Sequence, residues 1–137
     1  MKRRYPGESL QLVEMLCTDK IEFGGNITSM NTREQIHALS EEMLENLGKL
    51  VAVDSQLGTP SEGKPFGEGP AEALEIGLEI ARELGFKTVN LDNYCGYAEM
   101  GEGEEIVGIA GHLDIVPVGG DWTYDPFKLT RDGDHVY

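Results

Sequence analysis

Positive charge is scarce in this chain, and the scarcity narrows its partners. Its 137 residues carry 11 Lys and Arg against 25 Asp and Glu, a formal net charge of −14. Nucleic-acid phosphates and anionic lipid surfaces both reward basic patches, so neither nucleic acid nor membrane is an expected partner. Carboxylates in such excess keep a surface solvated and also suit hard cations; composition alone does not separate the two. Cysteine is equally sparse. Cys17 and Cys95 form no CxxC pair and no framework. One disulfide between them is conceivable, but free thiols in a reducing compartment are expected. No apolar run approaches the ~18–20 residues of a spanning helix. Lys2, Arg3 and Arg4 give a basic start, yet Glu8 and Glu14 interrupt any secretory core. The cytoplasm is the expected location.

Missing motifs exclude several chemistries. Gly101-Glu102-Gly103 runs into acidic residues and an apolar strand rather than opening a helix, so it would repel phosphate instead of cradling it. Ser55 has no G-x-S-x-G elbow around it and reads as a helix-terminal or turn serine. No D-x-D-x-D-G loop supports a calcium-binding protein.

Two helices are legible in what is there. Thr32 to Val53 carries Ile36, Leu39, Met43, Leu47 and Leu50 at three- and four-residue steps, with Thr32 and Gln35 as a capping box. Its glutamates and His37 lie off or beside that stripe and read as solvated. Pro70 to Leu84 is the second helix, with Pro70 suited to its first turn and Gly85 to its C′ position. Its wide stripe of Leu74, Gly77, Leu78, Ala81 and Leu84 implies a helix pressed onto a sheet, with Gly77 against a neighbouring backbone. Between them, Gln56 to Gly69 is punctuated by Gly and Pro and reads as a long loop. Residues 1–31 yield no regular pattern beyond a short apolar stretch at Leu10–Leu16, and are expected to form a poorly ordered arm.

Strands are expected at Phe86–Leu91, and in a hairpin joining Tyr94–Met100 to Ile106–Ala110, with Cys95 a small packed side chain. Trp122 and Phe127 would anchor the loop from Pro117 to Phe127 by burial. A last hairpin is expected over Lys128–Tyr137, with His135 as a strand residue. The fold class is α/β: two helices plus a mixed sheet built from hairpins.

The chemistry concentrates in the run from Ile106 to Asp125. An apolar strand, Ile106 to Gly111, ends at His112 and Asp114. Residues two apart on an extended chain share a face, so the imidazole and the carboxylate should project together from the carboxyl end of a buried strand. In open α/β sheets that end borders the ligand crevice. A ligating imidazole usually hands its second N–H to an outer-shell acceptor, which a nearby carboxylate can supply. With three histidines in the chain, about 0.2 His-x-Asp matches arise by chance. The tripeptide alone therefore leaves open a strand-end histidine bonded to a loop.

Several ordered blocks add to that tripeptide: LVAVDS (Leu50 to Ser55), GEGPAEALE (Gly67 to Glu75), DNYCGYAEMGEGEE (Asp92 to Glu105), GHLDIVPVGGDW (Gly111 to Trp122) and DPF (Asp125 to Phe127). Together they resemble the bacterial zinc dipeptidases, within the aminoacylase–carnosinase–carboxypeptidase group of co-catalytic zinc hydrolases. The resemblance covers roughly residues 34–137. It implies that 32–137 is the N-terminal part of an α/β/α zinc-hydrolase catalytic domain. It assigns zinc binding to His112 and the clamping of that imidazole to Asp114. It implies two Zn2+ ions per complete site, about 3.5–4 Å apart, a short peptide substrate, and a glutamate general base. Histidine and carboxylates would also accept manganese or cobalt.

In that family the bridging aspartate follows the strand begun at His135, and the general base and other ligands lie further on. The sequence to Tyr137 contains none of these, nor the smaller lid or dimerisation domain. A truncated, inactive and partly unstable segment is therefore expected, with Ile106–Ala110 an interior strand left with an open edge. Deacylation of N-acyl amino acids and a non-catalytic interaction module are the alternatives. No residue specifies an oligomeric state.

Overall fold

The computed structural model describes residues 31–137. The arm expected over residues 1–31, and Cys17 with it, lies outside the described residues but for Asn31. The chain divides into two units, one running to Glu41 and the other from Glu42 to Tyr137. The fold is α/β, with three helices and two small antiparallel sheets among the described residues.

In the first unit, helix α1 (Thr32–Ala38) is capped one residue earlier than expected. Asn31 Oδ1 accepts from the Glu34 amide and the Glu34 carboxylate accepts from the Asn31 amide, both at 3.1 Å. Asn31 with Glu34 at the third helical position displaces Thr32 with Gln35, because asparagine is among the best N-caps and a carboxylate accepts more strongly than an amide. The long helix expected to Val53 is broken at Leu39. It resumes as α2 (Ser40–Val51). Ser40 Oγ donates to the Ile36 carbonyl at 3.4 Å, a back-bond that bends helices. Ile36 and Leu39 in the first unit are exposed; in the second, Met43 and Leu47 are exposed while Leu50 is half-buried.

In the second unit, helix α3 (Glu68–Glu83) starts two residues before the expected Pro70 and ends at the expected place, with Gly85 at φ +89 beyond the cap. Ala71, Ala73 and Leu78 on α3 are buried with Val53, and these four make up the buried apolar core of the described residues. Strands β1 (Lys87–Leu91) and β2 (Cys95–Glu99) pair antiparallel, Val89 opposite Tyr97 and Leu91 opposite Cys95. Asp92 and Asn93 at positive φ make the turn, a conformation these two residue types tolerate. The sheet meets α3 through Thr88, whose hydroxyl accepts from Arg82 Nε at 3.0 Å, and through Gly96, whose missing side chain leaves room for Leu78. Val89, Leu91 and Tyr97 therefore lie on the opposite, open face.

Several expectations are corrected by this arrangement; in place of one mixed sheet, the described residues form two separate antiparallel pairs. Tyr94–Met100 pairs with the preceding strand, not with Ile106–Ala110. That later segment belongs to no strand, and Ile106 and Ile109 are 91 % and 97 % exposed. A strand apolar on both faces needs neighbours and two covering layers, which the described residues do not supply. Cys95 is a free, exposed thiol rather than a packed side chain, and Trp122 is exposed rather than buried.

The last hairpin forms as expected, β3 (Arg131–Asp132) with β4 (His135–Val136), extended by Thr130 and Tyr137 exchanging two 2.8 Å bonds. The Tyr124 hydroxyl donates to Asp132 Oδ2 at 2.9 Å. That bond, with some desolvation, raises the Tyr124 pKa above its ordinary value of 10.0. The bond favours the protonated phenol, so its contribution is whole below the ordinary tyrosine pKa and is lost as pH rises through the higher folded value. In a tyrosinate absorbance titration, Asp132→Asn should lower the Tyr124 pKa toward the ordinary tyrosine value.

Candidate active site

The site is a short run, His112 to Asp114, held on a loop and a helix that come earlier in the chain. Ser55, just after α2, is 2 % exposed, and its Oγ donates to the Leu113 carbonyl at 2.8 Å. The Ile115 amide donates back to the Ser55 carbonyl at 3.3 Å, and Gln56 forms an isolated parallel bridge with Ile115. Below this contact, α3 approaches so closely that a Cβ on Gly69 would lie 1.8 Å from the Asp54 carbonyl oxygen. Gly77 leaves room for the Leu113 side chain, 3.0 Å from where its Cβ would be. The close approach expected at Gly77 is thus to a side chain, not a backbone.

With Leu113 turned onto α3, its two neighbours come together on the other side. His112 Nδ1 lies 2.8 Å from the Asp114 carbonyl oxygen and 3.5 Å from Asp114 Oδ1. In the neutral ring, donation to either oxygen puts the proton on Nδ1 and leaves Nε2 with its lone pair. The two side chains are 80 % and 68 % exposed. They border a cleft of about 480 Å³ lined also by Leu57, Phe66, Leu74 and Tyr94. Phe66 and Tyr94 meet edge to face at 5.6 Å. The Asn93 amide, which donates to the Gly63 carbonyl at 2.8 Å, ties the β1–β2 turn to the loop beneath the cleft. A mostly apolar cleft of this size with a few convergent polar groups has the character of a small-molecule site.

The donor set fits part of a metal site. One imidazole with its Nδ1 proton engaged and a carboxylate beside it is the usual arrangement around a single ligating histidine. Among the described residues, no group of three or more His, Cys, Asp or Glu side chains converges to hold an ion. His135 stacks near Tyr137, ring centroids 6.3 Å apart, on the separate last hairpin.

No protein-family model matches the chain. Curated relatives do. The "Beta-Ala-Xaa dipeptidase" of Lactobacillus delbrueckii subsp. lactis is 40 % identical over 105 residues, covering 75 % of this chain and 22 % of that protein. The "Putative dipeptidase YtjP" of Bacillus subtilis (strain 168) is 36 % identical over 110 residues, 79 % of this chain and 24 % of that protein. A similarly named protein of Staphylococcus aureus (strain USA300) is 35 % identical over 104 residues. Over roughly three quarters of its own length the chain is similar to proteins named dipeptidase, and it spans under a quarter of the length of these relatives. No helix among its described residues is long and apolar enough to cross a membrane.

What sequence reasoning missed is Ser55, read as a turn serine. LVAVDS places this small polar residue four positions past the end of α2, and its partner lies 58 residues away.

Proposed function

We propose that this chain is the N-terminal part of the α/β/α catalytic domain of a cytoplasmic zinc dipeptidase, with His112 as a zinc ligand through Nε2 and Asp114 as the residue that orients it. The observation that carries the proposal is the engagement of His112 Nδ1 by Asp114 at the border of the cleft. Homology to proteins named dipeptidases supports a short peptide as substrate. A co-catalytic zinc pair, when bound, lowers the pKa of water and polarises the scissile carbonyl. The chain's own residues supply position and shape. Asp114 holds the imidazole in one tautomer, Leu113 anchors the run to α3, and the Phe66–Tyr94 wall lends the cleft an apolar side.

Two measurements test this. A polypeptide of the relatives' full length that includes this chain should hydrolyse unblocked dipeptides, β-alanyl ones among them, in a chelator-sensitive way. The 137-residue polypeptide by itself should bind zinc weakly and show no hydrolysis, because one ligand and one orienting carboxylate make an open, low-affinity site. Stoichiometric tight zinc with dipeptidase turnover in that shorter polypeptide would refute the proposal.

A further inference from the structure

Ser55 is the one buried polar residue among the described residues; its amide donates to the Val53 carbonyl at 2.9 Å, and its hydroxyl and carbonyl both bond to the run that carries His112 and Asp114. Its hydroxyl donates to the Leu113 carbonyl, which belongs to the peptide plane before Asp114. Its own carbonyl accepts from the Ile115 amide, which belongs to the plane after Asp114. A peptide unit is rigid, so fixing the Ile115 N–H also fixes the opposite edge of that plane, the Asp114 carbonyl. That carbonyl is the atom 2.8 Å from His112 Nδ1. Ser55 is itself held from below, since a Cβ on Gly69 would lie 3.2 Å from its Cα. A chain of rigid contacts thus runs from α3 through Ser55 to the imidazole.

We infer that Ser55 is a positioning residue for His112: by holding both peptide planes around Asp114, it keeps the proton on Nδ1 and leaves Nε2 to bind a ligand. This goes beyond the assignment of Asp114, whose carboxylate lies further from the ring, at 3.5 Å. It rests on the metal reading only in naming what Nε2 binds. The geometric part stands without a metal. Free imidazole prefers the other tautomer in water, so a histidine this exposed would revert to it once the Asp114 carbonyl were released.

The test is imidazole nitrogen NMR on the 137-residue chain at a pH where histidine is neutral, followed by titration with zinc alone. In the wild type, His112 should show the Nδ1–H pattern, while His37 and His135 show the solvent-like mixture. Ser55→Ala should move His112 toward that mixture, leave the other two unmoved, leave the α3 and β1–β2 amide signals in place, and raise the apparent zinc Kd about tenfold. Ser55→Thr, which keeps the donor, should restore the wild-type pattern. Should Ser55→Ala fail to fold, Ser55→Cys takes its place. Its thiol is a weaker donor of similar size, so it should shift His112 and weaken zinc in the same direction. An unchanged His112 tautomer in whichever of these two variants folds would overturn the inference. A tautomer that answers to Ser55 in a chain that binds no zinc would support the clamp and count against the metal reading.

Discussion

Gly69→Ala is expected to unfold most of the Glu42–Tyr137 unit. A Cβ at this position would lie 1.8 Å from the Asp54 carbonyl oxygen and 2.9 Å from its carbon, and both are backbone atoms that cannot rotate aside. Relief requires α3 to shift away from the segment after α2, and that junction carries buried Val53, Ser55, Ala71 and Ala73. Overpacking of a fixed site costs about 1–3 kcal/mol, and more when only backbone stands in the way. The described core has four buried apolar side chains, so its reserve is small. Loss of about 3 kcal/mol would lower the melting temperature by more than about 10 °C in a unit of this size. Gly119→Ala is the control, since nothing lies within 4 Å of its added carbon and it should melt close to wild type. Thermal melts by circular dichroism decide the matter. Equal melting of the two variants would show that α3 does not seat against Asp54.

His112→Ala should have the largest effect on chemistry. In a polypeptide of the relatives' full length, dipeptide hydrolysis should fall by more than about 100-fold, beyond the roughly 10- to 100-fold typical when only the group orienting a ligand is lost. Asp114→Asn should fall within that smaller range. The carboxamide keeps the volume and leaves the backbone carbonyl on Nδ1, so the imidazole loses the charge but not its nearest acceptor. The order of the two effects is the informative part. An Asp114 variant worse than the His112 variant would place the carboxylate in direct contact with the reacting atoms rather than behind the histidine.

Local rules sufficed at two element ends. Gly85 ends α3, and Gly133 at φ +59 starts the two-residue turn of the last hairpin. The pairing of His112 with Asp114 was legible for the same reason, as two side chains separated by one residue that faces the other way. Some of the expectations that failed concern a partner distant in sequence, whereas the cap at Asn31, the break at Leu39 and the pairing of β2 with β1 are local. Apolar patterning marks Ile106, Val107 and Ile109 for burial, but no neighbouring strand pairs with them among the described residues, so they stand exposed. Trp122 is exposed by the same logic. Ile36 on α1 and Met43 and Leu47 on α2 are likewise exposed. These exposures accompany a chain that spans under a quarter of its relatives' length. Ser55 eluded sequence reasoning in the opposite sense, as a polar residue whose burial is compensated by a carbonyl 58 residues on.

On the proposed function, His112, steadied by Asp114, is one corner of a zinc site. Metal analysis of a polypeptide of the relatives' full length, wild type against His112→Ala, tests it most directly. The expected result is about two zinc ions per polypeptide in the wild type, and a loss of bound zinc together with hydrolysis in the variant. Undiminished zinc content in His112→Ala, or hydrolysis by a polypeptide that holds no metal, would contradict it.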